Sequence, residues 1–195
     1  MRDGDITAHI AHRVRTLRAE LGLSLDALAN ESDVSRSMIS LVERAETSPS
    51  AVVLEKIATG LRVSLASLFD DASLPPNPVS RRADRTTWRD PGSGYVRRNI
   101  SPGNFPSPIQ IVEVDMPPGA RVTYETGARD VAIHQQIWVQ KGSIDVTVGK
   151  VTHRLSVGDC LAMRLDVPTG FRNPTRKTAR YVVVLATQPP GRSKK

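Results

Sequence analysis

The spacing of apolar residues changes along this chain, and that change constrains the fold more than any other feature. Before residue 70, apolar side chains recur at steps of three and four, as at Ile10, Val14, Leu17 and Leu21, which is the period of an amphipathic helix. From Thr86 onward they fall in short runs between glycines and prolines, which is typical of strands. We therefore predict two domains, an all-α domain followed by an all-β domain.

The helical domain is predicted to span residues 1–70 and to contain five short helices. Gly22 ends the first helix, and Ser24 and Ser35 are placed to cap the second and third. Ser48-Pro49-Ser50 interrupts the chain before the fourth helix, and Ser64 caps a last short turn. Connections this tight indicate a helical bundle.

Beyond the helices, Leu74-Pro75-Pro76-Asn77-Pro78 cannot continue a helix and marks the domain boundary. We interpret residues 71–104 as a linker and leading strand region, residues 105–187 as a β-barrel, and residues 188–195 as a basic tail. Many short strands between turn residues indicate a closed barrel or jelly roll. The predicted strands are Tyr95–Ile100, Ile109–Val114, Val122–Tyr124, Ile133–Gln140, Ile144–Val148, Val151–Leu155, Leu161–Leu165 and Tyr181–Ala186.

Cysteine content and hydropathy exclude several classes of protein. Cys160 is the single cysteine, so one chain can form neither an internal disulfide nor a zinc site built from several thiolates. Its alternating neighbours predict a buried strand position. No apolar segment approaches the ~20 residues that span a bilayer, so we expect a cytoplasmic protein with no membrane partner.

The net charge of +7 suggests a nucleic-acid partner, but its distribution weakens that inference. The first seventy residues carry 8 lysines and arginines against 10 aspartates and glutamates. The positive excess therefore lies outside the helical domain. A soluble surface with a basic tail explains the charge equally well.

Within the helical domain, the order helix, short turn, helix points to a nucleic-acid reader. Leu25–Glu31 and Ser35–Arg44 are the two helices, and three residues separate them. The first turn of the second helix projects Ser35, Arg36, Ser37 and Ser40. Such a helix can enter a major groove, where hydroxyls and a guanidinium meet base edges and phosphates. A plain bundle with solvated serines and arginine would have the same pattern, and the residues alone leave both interpretations open.

One set of motifs runs through nearly the whole helical domain, from Ile10 to Phe69. The set comprises Arg15-x-x-Arg18, Gly22-Leu23-Ser24, Leu28-Ala29, Val34-Ser35-Arg36-Ser37, Ile39-Ser40, Val42-Glu43-Arg44, Ser48-Pro49-Ser50 and Val63-Ser64-Leu65. It resembles the phage-repressor-like XRE family of helix-turn-helix transcriptional regulators. The resemblance implies a lambda-repressor-like bundle that binds DNA.

The resemblance also implies roles for individual residues. Ser24 and the start of the second helix would approach phosphates, and Glu43 would pair with Arg15 or Arg18 of the first helix. The residues that it places at the DNA interface are Ser24, Ser35, Arg36, Ser37, Ser40 and Arg44.

Two positions depart from the family pattern. Asp33 and Ala45 stand where the family usually has glycine, and we expect both to need positive φ. Aspartate tolerates that conformation moderately, whereas alanine there costs roughly 1 kcal/mol. The end of the recognition helix is therefore expected to be re-shaped rather than lost.

The β domain resembles a cupin, and the domain order resembles the XRE–cupin regulators. Gln135 and Gly142 keep the family spacing between a ligand glutamate and a turn glycine, and residues 158–160 and 168–174 look like the second cupin motif. In cupin enzymes three histidines and a carboxylate hold a metal. The resemblance thus implies where a metal site would lie.

That ligand set is absent from this sequence. Gln135 stands at the glutamate position, and Thr169 or Asn173 stands at the later histidine position. The domain has only two histidines, His134 and His153, and His134 points to the strand face opposite Gln135. A three-histidine site cannot form within one chain. We therefore expect no metal, no cofactor and no enzymatic activity.

What replaces the ligands has the character of a small-molecule pocket. Gln135 and Thr169 are polar and neutral, and Arg129 or Arg164 would supply a charge for an acidic effector. The alternative is a barrel that is packed shut and only dimerises. Trp138 on its strand is compatible with a pocket, a core or an interface.

Together these patterns predict a sequence-specific transcriptional regulator, most simply a repressor, that binds a palindromic double-stranded DNA operator as a homodimer. The cupin-like domain would bind a small-molecule effector, dimerise, or do both. Two other classes stay open: a cupin-type enzyme with an attached DNA-binding module, and an antitoxin-like repressor whose barrel binds a partner protein.

Overall fold

Helices and strands occupy separate stretches of the chain, as the apolar spacing predicted. The computed structural model describes residues 3–70, 76–103, 105–125 and 132–188, without side chains for residues 3–5 and 188. Contacts divide the chain into two units, Met1–Gly92 with Pro102–Pro106, and Ser93–Ser101 with Ser107–Lys195. None of the described helices is long and apolar enough to cross a membrane.

The first unit is built from four α-helices, two 3₁₀ helices and one short strand. In chain order these are α1 (Asp3–Glu20), α2 (Leu25–Ser32), α3 (Arg36–Glu43), α4 (Ala51–Gly60), the 3₁₀ helices Leu65–Phe69 and Arg82–Asp84, and β1 (Thr87–Arg89). The prediction of five helices was wrong by one among the described residues, because Leu65–Phe69 closes i→i+3 bonds and is a 3₁₀ helix.

The core of this unit is formed by the apolar stripes that the spacing identified. Ile10 and Val14 of α1 are almost completely buried, and so are Ile39 of α3 and Leu54 of α4. Leu21 was wrongly included in this stripe: it lies beyond the last residue of α1 and is 43% exposed. The chain has already turned away from the helix there, since Gly22 has a φ of 64°.

Serine side chains fix where the helices begin, as predicted. Ser24 Oγ accepts a hydrogen bond from Ala27 N at 3.0 Å, and Ser35 Oγ accepts one from Met38 N at 3.2 Å. Ser64 caps the 3₁₀ helix in the same way. Each cap satisfies a backbone donor that the helix itself leaves unpaired.

Residues beyond the proline-rich segment also pack in this first unit. The Trp88 ring lies 5.6 Å from the Phe69 ring, centroid to centroid. Asp90 is 3% exposed, and its Oδ1 accepts a hydrogen bond from Ala51 N, the first residue of α4, at 2.8 Å. Part of the predicted linker therefore caps the start of α4. The exact domain boundaries stay a prediction.

The second unit contains two antiparallel sheets. Its strands are β2 (Val96–Asn99), β3 (Ile109–Met116), β4 (Arg121–Tyr124), β5 (Ala132–Lys141), β6 (Ser143–Val148), β7 (Val151–Ser156), β8 (Cys160–Arg164), β9 (Thr169–Arg172) and β10 (Ala179–Gln188). Within the unit the larger sheet runs β2-β3-β10-β5-β8 and the smaller sheet runs β4-β9-β6-β7. The inner faces meet where Phe171 and Tyr181 stack at 5.9 Å. Two antiparallel sheets are the arrangement that the cupin resemblance predicted, while full closure of the barrel stays a prediction.

Strand alternation separates an inner from an outer face on β5. Gln135 and Ile137 are buried, whereas His134 and Trp138 are exposed. The predicted outward direction of His134 is thereby confirmed. The predicted burial of Cys160 was wrong, because its Cα pairs with that of Trp138 and both side chains lie on the outer face.

Candidate functional site

The turn between α2 and α3 orients the recognition helix. Asp33 ends α2 in the left-handed region, with a φ of 51°. Its Oδ2 accepts a hydrogen bond from Lys56 Nζ at 2.6 Å, and this ammonium group lowers the pKa of Asp33. Asp33, which stands at the family's glycine position, therefore tolerates positive φ and also connects the turn to α4.

The far end of α3 is anchored to α1. Arg18 Nε and Nη2 donate to the two carboxylate oxygens of Glu43 at 2.6 and 2.8 Å, and Glu43 is buried. Arg15 Nη2 donates to the Glu43 carbonyl oxygen. Both arginines therefore hold Glu43, which confirms the predicted pairing, and bidentate geometry fixes the orientation of α3.

The first turn of α3 is open to solvent. Arg36 and Ser37 are exposed, and Ser35 is exposed at the cap. The cap uses one lone pair of the Ser35 hydroxyl and leaves its O–H free to donate. The exposed hydroxyl of Ser24, at the start of α2, likewise accepts one capping hydrogen bond and keeps its O–H free to donate. These groups can therefore donate to phosphate or to a base edge.

Two carboxylates that the sequence analysis missed lie beside the predicted DNA-binding arginines. Arg36 Nε lies 3.2 Å from Asp26 Oδ1, and both side chains are largely exposed. Arg44 donates to both carboxylate oxygens of Glu46 at 2.8 Å and, through Nη1, to Ser40 Oγ at 3.1 Å. Exposed ion pairs of this kind exchange readily because each contributes only about 0–1 kcal/mol.

Ala45 follows the end of α3, the predicted recognition helix, and has a φ of 58°, as expected for a position where the family usually has glycine. Ala45 N donates to Val42 O and Glu46 N donates to Leu41 O, which are the two bonds of a Schellman motif. The helix end keeps its ordinary hydrogen bonds despite the strained alanine. Arg62, at 59°, is a third such residue that the sequence analysis did not identify.

Gln135 and Thr169 lie inside the second unit. They are 6% and 2% exposed, on β5 of the larger sheet and β9 of the smaller one. Neither side chain makes a hydrogen bond within the described residues. Asn173 differs: its amide donates to Met116 O and Lys177 O and accepts from Thr175. Gln135 and Thr169 are therefore largely buried residues whose side chains make no hydrogen bond within the described part of the chain.

Of the two charged residues predicted for the same pocket, the one that the structure describes, Arg164, does not lie with Gln135 and Thr169. Arg164 is exposed and lies 3.3 Å from Asp166, on the face of β8 that carries Cys160. Arg129 lies outside the described residues.

The residues at the cupin ligand positions do not fit a three-histidine metal site. His134 is exposed on the outer face, which leaves only half-buried His153 of β7 on an inner face in the described part of the unit. Gln135 and Thr169 offer a neutral amide and a hydroxyl. Within the described residues no three His, Cys, Asp or Glu side chains are grouped as metal ligands.

Comparison with known proteins gives concordant matches. Residues 14–68 match the family model described as "Helix-turn-helix", HTH_3. A crystal structure of an HTH_3 family transcriptional regulator from Vibrio cholerae is similar with a TM-score of 0.75 and 27% identity, over 96% of this chain and 99% of that one. The HTH-type transcriptional regulator SutR of Escherichia coli (strain K12) is 24% identical over 91% of this chain and 94% of its own length. Control protein C.MunI of Mycoplasma sp is 35% identical over 34% of this chain and 92% of its own length.

Proposed function

Because this chain belongs to the XRE-type helix-turn-helix family, we propose that it is a sequence-specific DNA-binding transcriptional regulator and not an enzyme. The observation that carries the proposal is the state of α3: its far end is fixed by Arg18 and Glu43, and its first turn is open to solvent. A rigid helix with an exposed polar first turn is the arrangement that reads base edges in a major groove.

The DNA contacts follow from the side chains on that turn. Arg36 leaves Asp26 and donates to a base or a phosphate, and Arg44 exchanges Glu46 for phosphate. Ser37 and Ser40 extend the same face, and the capping hydroxyls of Ser24 and Ser35 donate to the backbone. The carboxylates of Asp26 and Glu46 repel DNA phosphates. They therefore favour DNA sites at which a base contact of the arginine offsets the loss of its ion pair.

A homodimer on a palindromic operator follows from the small size of one recognition helix. One such helix contacts few base pairs, whereas two placed ~34 Å apart read two half-sites. The surface that we propose for self-association, the Trp138 face, lies on the outside of the larger sheet. Trp138 is 50% exposed there, its Cα pairs with that of half-buried Val182, and Ile111 pairs with Val184 on the same face. The exposed ring of Trp138 and the half-buried apolar side chains near it support an interface on this face.

The effector site is proposed between the two sheets, at Gln135 and Thr169. Two observations support this proposal: both residues are largely buried, and neither side chain uses its polar atoms in a hydrogen bond within the described residues, so an amide and a hydroxyl are left for a ligand or a water. Arg164 lies on the outer face and is not a source of charge for this site, while Arg129, outside the described residues, stays a proposed one. Repression by occlusion is the simplest outcome, since it requires no contact with polymerase.

We also propose the domain limits 1–70 for the DNA-binding domain, 71–104 for the linker and leading strand region, 105–187 for the cupin-like domain and 188–195 for the basic tail.

The first experiment is selection from random duplex DNA, followed by titration of the enriched site with wild type and Arg36→Ala. Wild type should recover a palindrome with half-sites about one helical turn apart, and Arg36→Ala should lose ~1–3 kcal/mol of specific binding. Arg176→Ala is the matched control because it removes an exposed arginine of the second unit. Equal affinity of wild type and Arg36→Ala would show that α3 is not the recognition helix.

A further inference from the structure

The outer face of the smaller sheet carries a concavity of about 240 Å³. Exposed Arg121, Thr123 and Arg172 line it, and they alternate along their strands with buried Val122 and Phe171, so the concavity faces away from the core. The side chain of Thr169 points to the other face of β9, although Thr169 and Phe171 also border the concavity. Its volume is below the ~300–1,000 Å³ of pockets for drug-sized ligands, which suits a small molecule.

One row of this face consists of hydroxyl groups around a glycine. In the strand register Thr123, Gly170, Thr147 and Thr152 are successive partners across β4, β9, β6 and β7. The hydroxyls of Thr147 and Thr152 lie 2.9 Å apart. A methyl group on Gly170 would lie 3.6 Å from Thr147 Cβ and 3.7 Å from Thr123 Oγ1, so the glycine leaves a gap between the hydroxyls. A glycine within a strand often marks close approach of a ligand.

The adjacent row is positively charged. Arg121, Arg172, Asp145 and Arg154 are successive partners in register. Arg154 donates to both Asp145 oxygens at 2.7 and 3.1 Å, and this interaction lowers the pKa of Asp145 against the opposing effect of burial. The single carboxylate of the row is therefore already bound by one of its three arginines.

Arg121 and Arg172 are left without such a partner. Neither guanidinium makes a hydrogen bond or an ion pair within the described residues, although the charge of Arg172 acts on Asp145 at longer range. The two residues are direct cross-strand neighbours, and like charges in that position destabilise a sheet. An anion between them would remove this repulsion.

We propose that this face is a binding site for the oxyanion group of a small molecule, a phosphate or a carboxylate. Arg121 and Arg172 hold the anion with charge-assisted hydrogen bonds, and the threonine hydroxyls donate beside them. Gly170 leaves room for the group to approach the sheet. The site is separate from the recognition helix and from the proposed interior pocket, and it does not depend on either.

The test is calorimetric titration of the full-length protein with inorganic phosphate and, separately, with succinate. We expect saturable binding of one of these probes, and the one that binds identifies the anion class. Arg121→Gln and Arg172→Gln should each raise its Kd at least about tenfold, as expected for loss of a charge-assisted hydrogen bond. Arg176→Gln, which removes an exposed arginine of the same unit outside the concavity, should bind like wild type.

Gly170→Ala separates binding from folding. The added methyl makes only ordinary contacts, so the thermal unfolding transition should persist while the Kd rises. Absence of saturable binding to both probes overturns the proposal, and so does an equal loss in Arg176→Gln, which would indicate nonspecific charge. Weaker operator binding by Arg172→Gln without anion binding also overturns it, because DNA phosphates would then be the occupant.

Discussion

Two of the non-glycine residues with positive φ, Asp33 and Ala45, bear the backbone strain differently. Asp33 tolerates the left-handed region and gains an ion pair with Lys56, whereas Ala45 has neither advantage. Glycine at position 45 would keep the two Schellman hydrogen bonds, since both involve backbone atoms only. Replacing Ala45 by glycine would therefore relieve the backbone strain without loss of these hydrogen bonds.

Ala45→Gly should raise the free energy of unfolding of the protein by about 1 kcal/mol, because glycine adopts positive φ without a Cβ clash. Urea denaturation followed by circular dichroism at 222 nm measures the change. Ala27→Gly is the control: within α2 the same exchange should destabilise by ~0.5–1 kcal/mol. A loss of stability in both variants would show that Ala45 is not strained.

Residue-level predictions from sequence succeeded where local chemistry decides them. The caps at Ser24 and Ser35 depend on neighbours within three positions, and the strained φ of Ala45 followed from a glycine pattern. Asp26 beside Arg36 was missed, since nothing local distinguishes it from another solvated carboxylate. The hydrogen bond from Ala51 N of α4 to Asp90 was missed because the two residues are 39 positions apart in the sequence.

Among the elements, the long strands were predicted, and two of the short ones were missed. β5 was located from its apolar alternation, and β10 from a continuous apolar run at Tyr181–Ala186. β2 and β4, with four residues each, were predicted, whereas β1 has only three residues and β9 has glycine as its second residue, directly after Pro168-Thr169. The missed β9 contributes to both proposed ligand sites, so neither site's geometry was visible from sequence.

An ion cluster joins three strands of the larger sheet. Asp115 of β3 accepts hydrogen bonds from Arg180 of β10 at 2.6 and 2.9 Å and from Arg98 of β2 at 2.7 Å. Burial acts to raise the pKa of Asp115, but these bonds outweigh it and hold the pKa below its ordinary value. The cluster therefore stabilises the fold above the unfolded carboxyl pKa of about 3.9 and loses that contribution as the pH falls through the lower folded value.

Asp115→Asn should lower the free energy of unfolding at pH 7 by about 1–3 kcal/mol, since two arginines lose a charged acceptor. The difference from wild type should shrink as the pH falls below about 4, where the wild-type carboxyl also loses its charge. Urea titrations from pH 7 to the acid range measure both effects. Asp166→Asn, which breaks an exposed pair, should change stability by at most about 1 kcal/mol. A difference that stays constant with pH would exclude the ionised cluster as its source.

For the whole molecule, the distribution of apolar surface bears on assembly. The Trp138 face interrupts an otherwise polar row of β5, on which His134, Gln136 and Gln140 are exposed. The exposed ring of Trp138 lies beside half-buried Val182 of β10, and a second copy could bury this apolar surface. We infer that a second copy covers it.

Trp138→Gln should raise the dimer dissociation constant roughly thirtyfold, which corresponds to the ~2 kcal/mol of an interface hot spot. Light scattering after size exclusion, over a dilution series, gives the mass of wild type and variant. Val157→Gln removes another exposed apolar side chain and should leave the mass unchanged. A variant that dimerises like wild type would place the interface elsewhere, and a wild type that is monomeric would contradict the homodimer itself.

The alternation of β9 has one more consequence. Four residues form a wall shared by two compartments, with Thr169 and Phe171 on one side and Gly170 and Arg172 on the other. The two proposed ligand sites are therefore back to back, separated by one strand of four residues. A displacement of this strand would change the shape of both sites.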